Sequence, residues 1–97
     1  MQVDASKKVY LIVHGQRNLI DMMKEKLSAN FNKENMLPAS LDKAGDIGDY
    51  VAMLWPPMAP TNIAVSQVVG PDEEGKSFGM GAWSAVKLKD VTTISLK

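Results

Sequence analysis

The sequence predicts a two-layer α+β domain in which one main helix packs on a mostly antiparallel sheet of four to five strands. Three observations lead there. A run at residues 9–13 is apolar on both alternating faces, as in a central strand; residues 19–31 repeat apolar side chains at helical spacing; and from residue 61 onward the chain is dominated by extended, β-branched segments. One helix cannot cover both faces of such a sheet. The second face is therefore left to solvent, to its own curvature or to a partner.

Taken in order, residues 1–6 are polar and carry nothing to hold them, so a frayed terminus is expected. Residues 7–14 form a strand in which Val9, Leu11 and Val13 point one way while Tyr10 and Ile12 point the other. Gly15 ends it. Asn18 is a helix N-cap, and Asp21 follows three residues later, where its charge suits the helix dipole. The helix runs from residue 19 to about residue 29. Ile20, Met23, Leu27 and Phe31, with Leu19 beside them, make its apolar face, and Asp21, Lys24, Glu25 and Ser28 its polar one.

Residues 30–38, NFNKENMLP, are asparagine-rich and close on proline, which reads as a loop. Ser40 caps a short turn through Lys43 and Ala44, because Gly45 and Gly48 interrupt anything longer. Residues 50–55, YVAMLW, read as a strand. A helix starting at Asp46 or Asp49 would give Ile47, Tyr50, Val51 and Leu54 a common face, and that alternative stays open. Pro56, Pro57 and Pro60 form a connector.

Residues 61–69 are extended again, with Ile63, Val65 and Val69 on one face and Ala64, Ser66 and Val68 on the other. A return strand over residues 78–89 would make a hairpin with it across an acidic loop. That strand would place Phe78, Met80, Ala82, Val86 and Leu88 opposite Gly79, Gly81, Trp83, Lys87 and Lys89. Gly79 and Gly81 would then form a smooth strip open to close approach. Asp90 marks a turn or bulge, and residues 91–96 supply the last strand.

Ninety-seven residues with 45% apolar and 23% charged content suit one domain spanning the chain. A chain of this size buries roughly 60 to 70% of the surface it exposes when unfolded, enough to fold without a staple. The lack of cysteine excludes disulfides, thiolate zinc sites and a cysteine nucleophile. Eleven basic residues balance eleven acidic ones with no long run of either sign, so neither a nucleic-acid partner nor an acidic mimic of one is expected. The apolar run at 9–13 is too short for a signal-peptide core or a membrane span. A cytoplasmic location and no membrane partner are the default.

Gly70-x-x-x-x-Gly75-Lys76-Ser77 matches the P-loop pattern formally. That chemistry needs a helix after the loop, whose amides cradle phosphates, and Phe78-Gly-Met-Gly81 starts one poorly; Asp72, Glu73 and Glu74 would also repel phosphates. Asp42, Asp46 and Asp49 lack the spacing of a calcium loop and read as turn and cap residues, so no metal site is expected. Pro57-x-x-Pro60 lacks the flanking basic residue of a proline-module ligand. No nucleophile, base and orienting group assemble into a catalytic set, and no cofactor fingerprint is present.

The remaining expectation is a small noncatalytic domain that binds another protein, or a second copy of itself, as regulator, inhibitor or assembly component. Met53, Trp55, Met58, Gly79, Gly81 and Trp83 are its candidate interface residues, since methionine and tryptophan suit adaptable apolar contacts. The alternative is a small-ligand domain that binds an anion or nucleotide at the strand-to-helix turn, through His14, Gly15, Arg17 and Asn18. On that alternative, phosphate or a nucleotide raises the melting temperature and Arg17→Ala abolishes the rise. A thermal-shift screen with no ligand-dependent change overturns it.

Overall fold

The computed structural model describes residues 3–13, 19–54, 62–70, 75–77 and 81–95. Its elements are β1 (Val9–Val13), α1 (Leu19–Leu27), a 3-10 helix Lys33–Asn35, β2 (Met36–Pro38), β3 (Tyr50–Leu54), β4 (Asn62–Val68), β5 (Lys76–Ser77), a 3-10 helix Gly81–Ala85 and β6 (Lys87–Ser95). They form one six-stranded sheet in the order β2-β1-β3-β4-β6-β5. Three of its five pairings are antiparallel, and β1 runs parallel to both β2 and β3. This is the expected two-layer α+β arrangement, with two short strands added at the sheet's edges.

Period and parity explain the helix-side core. Val9 and Leu11 of β1, Tyr50, Ala52 and Leu54 of β3, and Ile63 and Val65 of β4 point to one face. Met23 and Leu27 of α1, with Phe31 just beyond it, are buried against them, and Leu19 and Ile20 pack at the margin. Full burial of a side chain such as Met23 or Leu27 is worth about 1.5–3 kcal/mol. The helix ends two residues earlier than its pattern suggests, because the chain turns at 28–30. There Phe31 N–H bonds the Leu27 carbonyl at 2.9 Å and swings the ring back under the helix.

The opposite face has its own, smaller core. Val51, Val68, Trp83 and Leu88 are buried there, with Tyr10, Ile12, Ala39, Ala44, Met53 and Val86 packed around them. The second face is therefore covered at this point by the chain itself.

Three expectations are corrected. The return strand over residues 78–89 does not form as such: its described part begins as the 3-10 helix Gly81–Ala85, and only Lys87 onward is extended. Gly81 has φ +54°, and a Cβ there would collide with the Leu41 carbonyl, so this glycine serves a left-handed turn in place of a flat strip. The simple hairpin is absent as well. β4 pairs with β6, while β5 lies on the far side of β6, so the strand that follows β4 in the chain is not its neighbour in the sheet. Lastly, residues 3–6 are not frayed: Val3 packs against the helix-side core, and Asp4, Ala5 and Ser6 are hydrogen-bonded.

Residues 87–95 are one strand, interrupted as Asp90 suggested. The register steps from Val65↔Thr92 to Ser66↔Asp90, which leaves Val91 as an extra residue. Leu88 and Ile94 would share a face in a regular strand. The bulge separates them, sending Val91 and Ile94 toward the helix side and Leu88 to the second core.

If Trp83 anchors the second core, Trp83→Ala should lower stability by about 3–5 kcal/mol in urea unfolding. Gly81→Ala should cost about 1 kcal/mol or more through backbone strain and the collision with Leu41. Wild-type midpoints for both variants would contradict this account.

Candidate functional site

Three of the six candidate interface residues fall in the described chain, and the structure brings them to one face. Met53 lies half-buried on β3, Gly81 opens the second 3-10 helix, and Trp83 sits in the middle of that helix. Trp83 is only 1% exposed. Its indole N–H donates to the Ser40 carbonyl at 2.8 Å, and its ring meets Tyr10 edge-on with centroids 5.3 Å apart. Trp83 therefore contributes to internal packing and leaves almost no area for another molecule. Trp55, Met58 and Gly79 lie outside the described residues, as do His14, Gly15, Arg17 and Asn18 of the anion-binding turn.

The segment that covers the second core, residues 39–49, was the ambiguous stretch of the sequence and holds most of the local chemistry. It forms no regular helix or strand. Asp49 is buried, and its carboxylate accepts the Asp46 N–H at 2.9 Å while its own N–H donates to the Asp46 carbonyl at 3.0 Å. Its carbonyl accepts the Val68 N–H, and Gly48 N–H donates to the Val68 carbonyl, each at 2.8 Å. The Gln67 side-chain amide adds a bond to the Gly48 carbonyl at 3.1 Å. The Asp49 carboxylate thus closes the turn, while the backbone of Gly48 and Asp49 ties the loop to the end of β4. Asp42 takes no part: its N–H donates to the Ser40 hydroxyl in a separate turn.

Tyr10 faces this loop from β1. Burial raises the pKa of its phenol above the ordinary value, and the charges of Asp49 and Asp46 push it further in the same direction. The phenol is accordingly a neutral packing group at physiological pH.

Two large apolar side chains stand out from the same loop. Leu41 is 55% and Ile47 67% exposed, the only such large apolar residues among those described. The Leu41 carbonyl accepts the Ala82 N–H at 2.8 Å. Ile47 lies on Gly70, whose φ is +92° and whose missing Cβ would stand 3.0 Å from Ile47 Cδ1. Sequence reasoning singled out neither as a site residue, and Ile47 entered only on the face of the alternative helix. Their signal was an apolar side chain placed between Asp, Gly and Lys in a segment too short of apolar partners to form an amphipathic element.

Lys76 and Ser77 of the formal P-loop pattern lie in strand β5, paired with Leu88 and Lys87 of β6, so no helix N-terminus opens at that point. Beside them is a shallow depression of about 240 Å³, lined by Gly75, Lys76, Leu88, Lys89 and Asp90. It is smaller than the roughly 300–1,000 Å³ of small-molecule sites and open at the sheet's edge. Among the described residues, no group of three or more His, Cys, Asp or Glu side chains could hold a metal ion, and no helix is long and apolar enough to cross a membrane.

Comparison of the chain with protein families, curated proteins and solved structures gave no match, so its chemistry is read from its own residues.

The Tyr10 environment makes a direct prediction. Residue-resolved NMR titration of the two tyrosines should place Tyr10 above the ordinary phenol value, and Asp49→Asn should lower it without fully restoring that value, since burial is the larger cause. Because the folded-state value is raised, the associated stability is present below the unfolded pKa and is lost as pH rises through the folded one. An ordinary titration in the folded protein would refute the assignment.

Proposed function

We propose that this is a small noncatalytic domain that works by binding another protein, as a regulator, inhibitor or assembly component, with a second copy of itself among the partners considered. The observation that supports the reading is the loop at 39–49, which presents Leu41 and Ile47 to solvent from a backbone fastened to the sheet. A single exposed apolar residue is ordinary. Two on one loop, held by the Asp49 turn and the contacts at Gly70 and Gly81, have already lost much of the freedom that binding would otherwise remove. With Met53 half-buried on the same face of the sheet as Trp83, the loop offers an apolar contact with a preset shape.

Light scattering after size-exclusion chromatography, together with affinity capture from the native host, tests the reading. Leu41→Asp with Ile47→Asp should dissociate a dimer or weaken a captured partner by about tenfold or more, as expected for apolar residues central to a contact. A charge reversal at exposed Glu34 should leave both unchanged. A wild-type chain that is monomeric and captures no specific partner would overturn the proposal.

A further inference from the structure

The segment just before β1 is fastened on both sides of that strand. Asp4 N–H donates to the Tyr50 hydroxyl at 2.9 Å. The next residue, Ala5, uses its carbonyl to accept two side-chain amides, from Asn35 at 3.0 Å and from Asn32 at 3.2 Å. Tyr50 is the first residue of β3, and the two asparagines belong to the 3-10 turn that leads into β2. Since β1 lies between β2 and β3 and runs parallel to both, all three strands begin at one end of the sheet. Residues 4 and 5 bridge them there.

The local chemistry favours this closed form. The Asp4 carboxylate accepts both the N–H and the hydroxyl of Ser6, and Lys7 N–H donates to the Asp4 carbonyl at 3.1 Å, which folds the segment into a turn. Val3 packs on the helix-side core. Asn32 occupies the N-cap position of its 3-10 helix, makes no side-chain cap bond, and donates its side-chain NH2 to the Ala5 carbonyl. An asparagine at that position ordinarily caps its own helix. The bond here runs to a residue 27 positions earlier and so ties two separate segments.

The strand so tied is the shortest of the three at this end. β2 has three register pairs with β1, belongs to the sheet's edge and ends at Pro38. We infer that residues 3–6 are a strap that keeps the edge strand β2 and the start of β3 docked on β1, and that its release loosens this parallel end of the sheet while the antiparallel β4–β6 half stays in place. The inference is independent of the proposed binding loop, which lies at 39–49.

Hydrogen exchange on the full chain, read residue by residue, tests the strap. Asn32→Ala with Asn35→Ala removes both amide donors, and Tyr50→Phe removes the hydroxyl acceptor. The double asparagine variant should speed exchange of the Ala39 amide, which bonds the Leu11 carbonyl beside β2, by about tenfold or more, as loss of two hydrogen bonds implies. Amides pairing β4 with β6 should keep their wild-type rates. Tyr50→Phe should raise exchange at Asp4 with the same spatial limit. Unchanged rates at Ala39 and Asp4, or an equal acceleration through β4 and β6, would overturn the strap. The point substitutions remain decisive even where deletion of residues 1–6 prevents folding.

Discussion

Strands β1 and β3 are apolar on both faces, and this constraint governs the rest of the molecule. Val9, Leu11, Tyr50, Ala52 and Leu54 face the helix, while Tyr10, Ile12, Val51 and Met53 face the other way. A helix of nine residues can shield only the first set. The second set needs a cover, and the 3-10 helix Gly81–Ala85 supplies it with Trp83, beside Ala39 and Ala44 of the loop at 39–49. Trp83 is suited to that position because its large ring fills the space while its N–H finds an acceptor 43 residues away at Ser40. The left-handed turn at Gly81, the edge contact with Tyr10 and the loop beginning at Ala39 all follow from seating this one side chain.

Periodicity made much of the fold legible. The two-faced pattern of 9–13, the helical spacing of Ile20, Met23, Leu27 and Phe31, and the alternation of Ile63 and Val65 against Val68 all appear in the structure as read. Asp90 was legible as an interruption because aspartate, a poor strand former, stands directly before the β-branched run at residues 91–94. β2 was not, since three residues closing on Pro38 carry too little pattern to stand out from an asparagine-rich loop. The segment before Lys87 was misread because alternating glycines resemble a strand face. Gly81 through Ala85 in fact contains no β-branched residue, and extended preference begins only at Val86.

The candidate site was less legible for a related reason. Met53, Gly81 and Trp83 were singled out by residue type and do converge, but type alone does not say whether a tryptophan faces its own chain or another. That depends on which carbonyl its N–H reaches, a contact between distant segments. Leu41 and Ile47 carry the opposite lesson. They look unremarkable in a polar stretch and become conspicuous only when Asp49 and Gly70 are seen to hold their loop against the sheet. A buried aspartate with its bonds satisfied acts here as a fastening, which explains why that part of the chain needs neither helix nor strand.

The short strand β2 has one more consequence. Ala39 N–H bonds the Leu11 carbonyl, so the alternation of backbone groups turns Leu37 toward β1 and directs the backbone of Met36 and Pro38 outward. Met36 N–H is already bonded to the Lys33 carbonyl, and proline has no N–H to offer. The outer edge of β2 thus presents acceptors without free donors. An incoming strand would meet half a ladder, and repeated stacking of copies along this margin is suppressed by the backbone alone, without a charged guard residue.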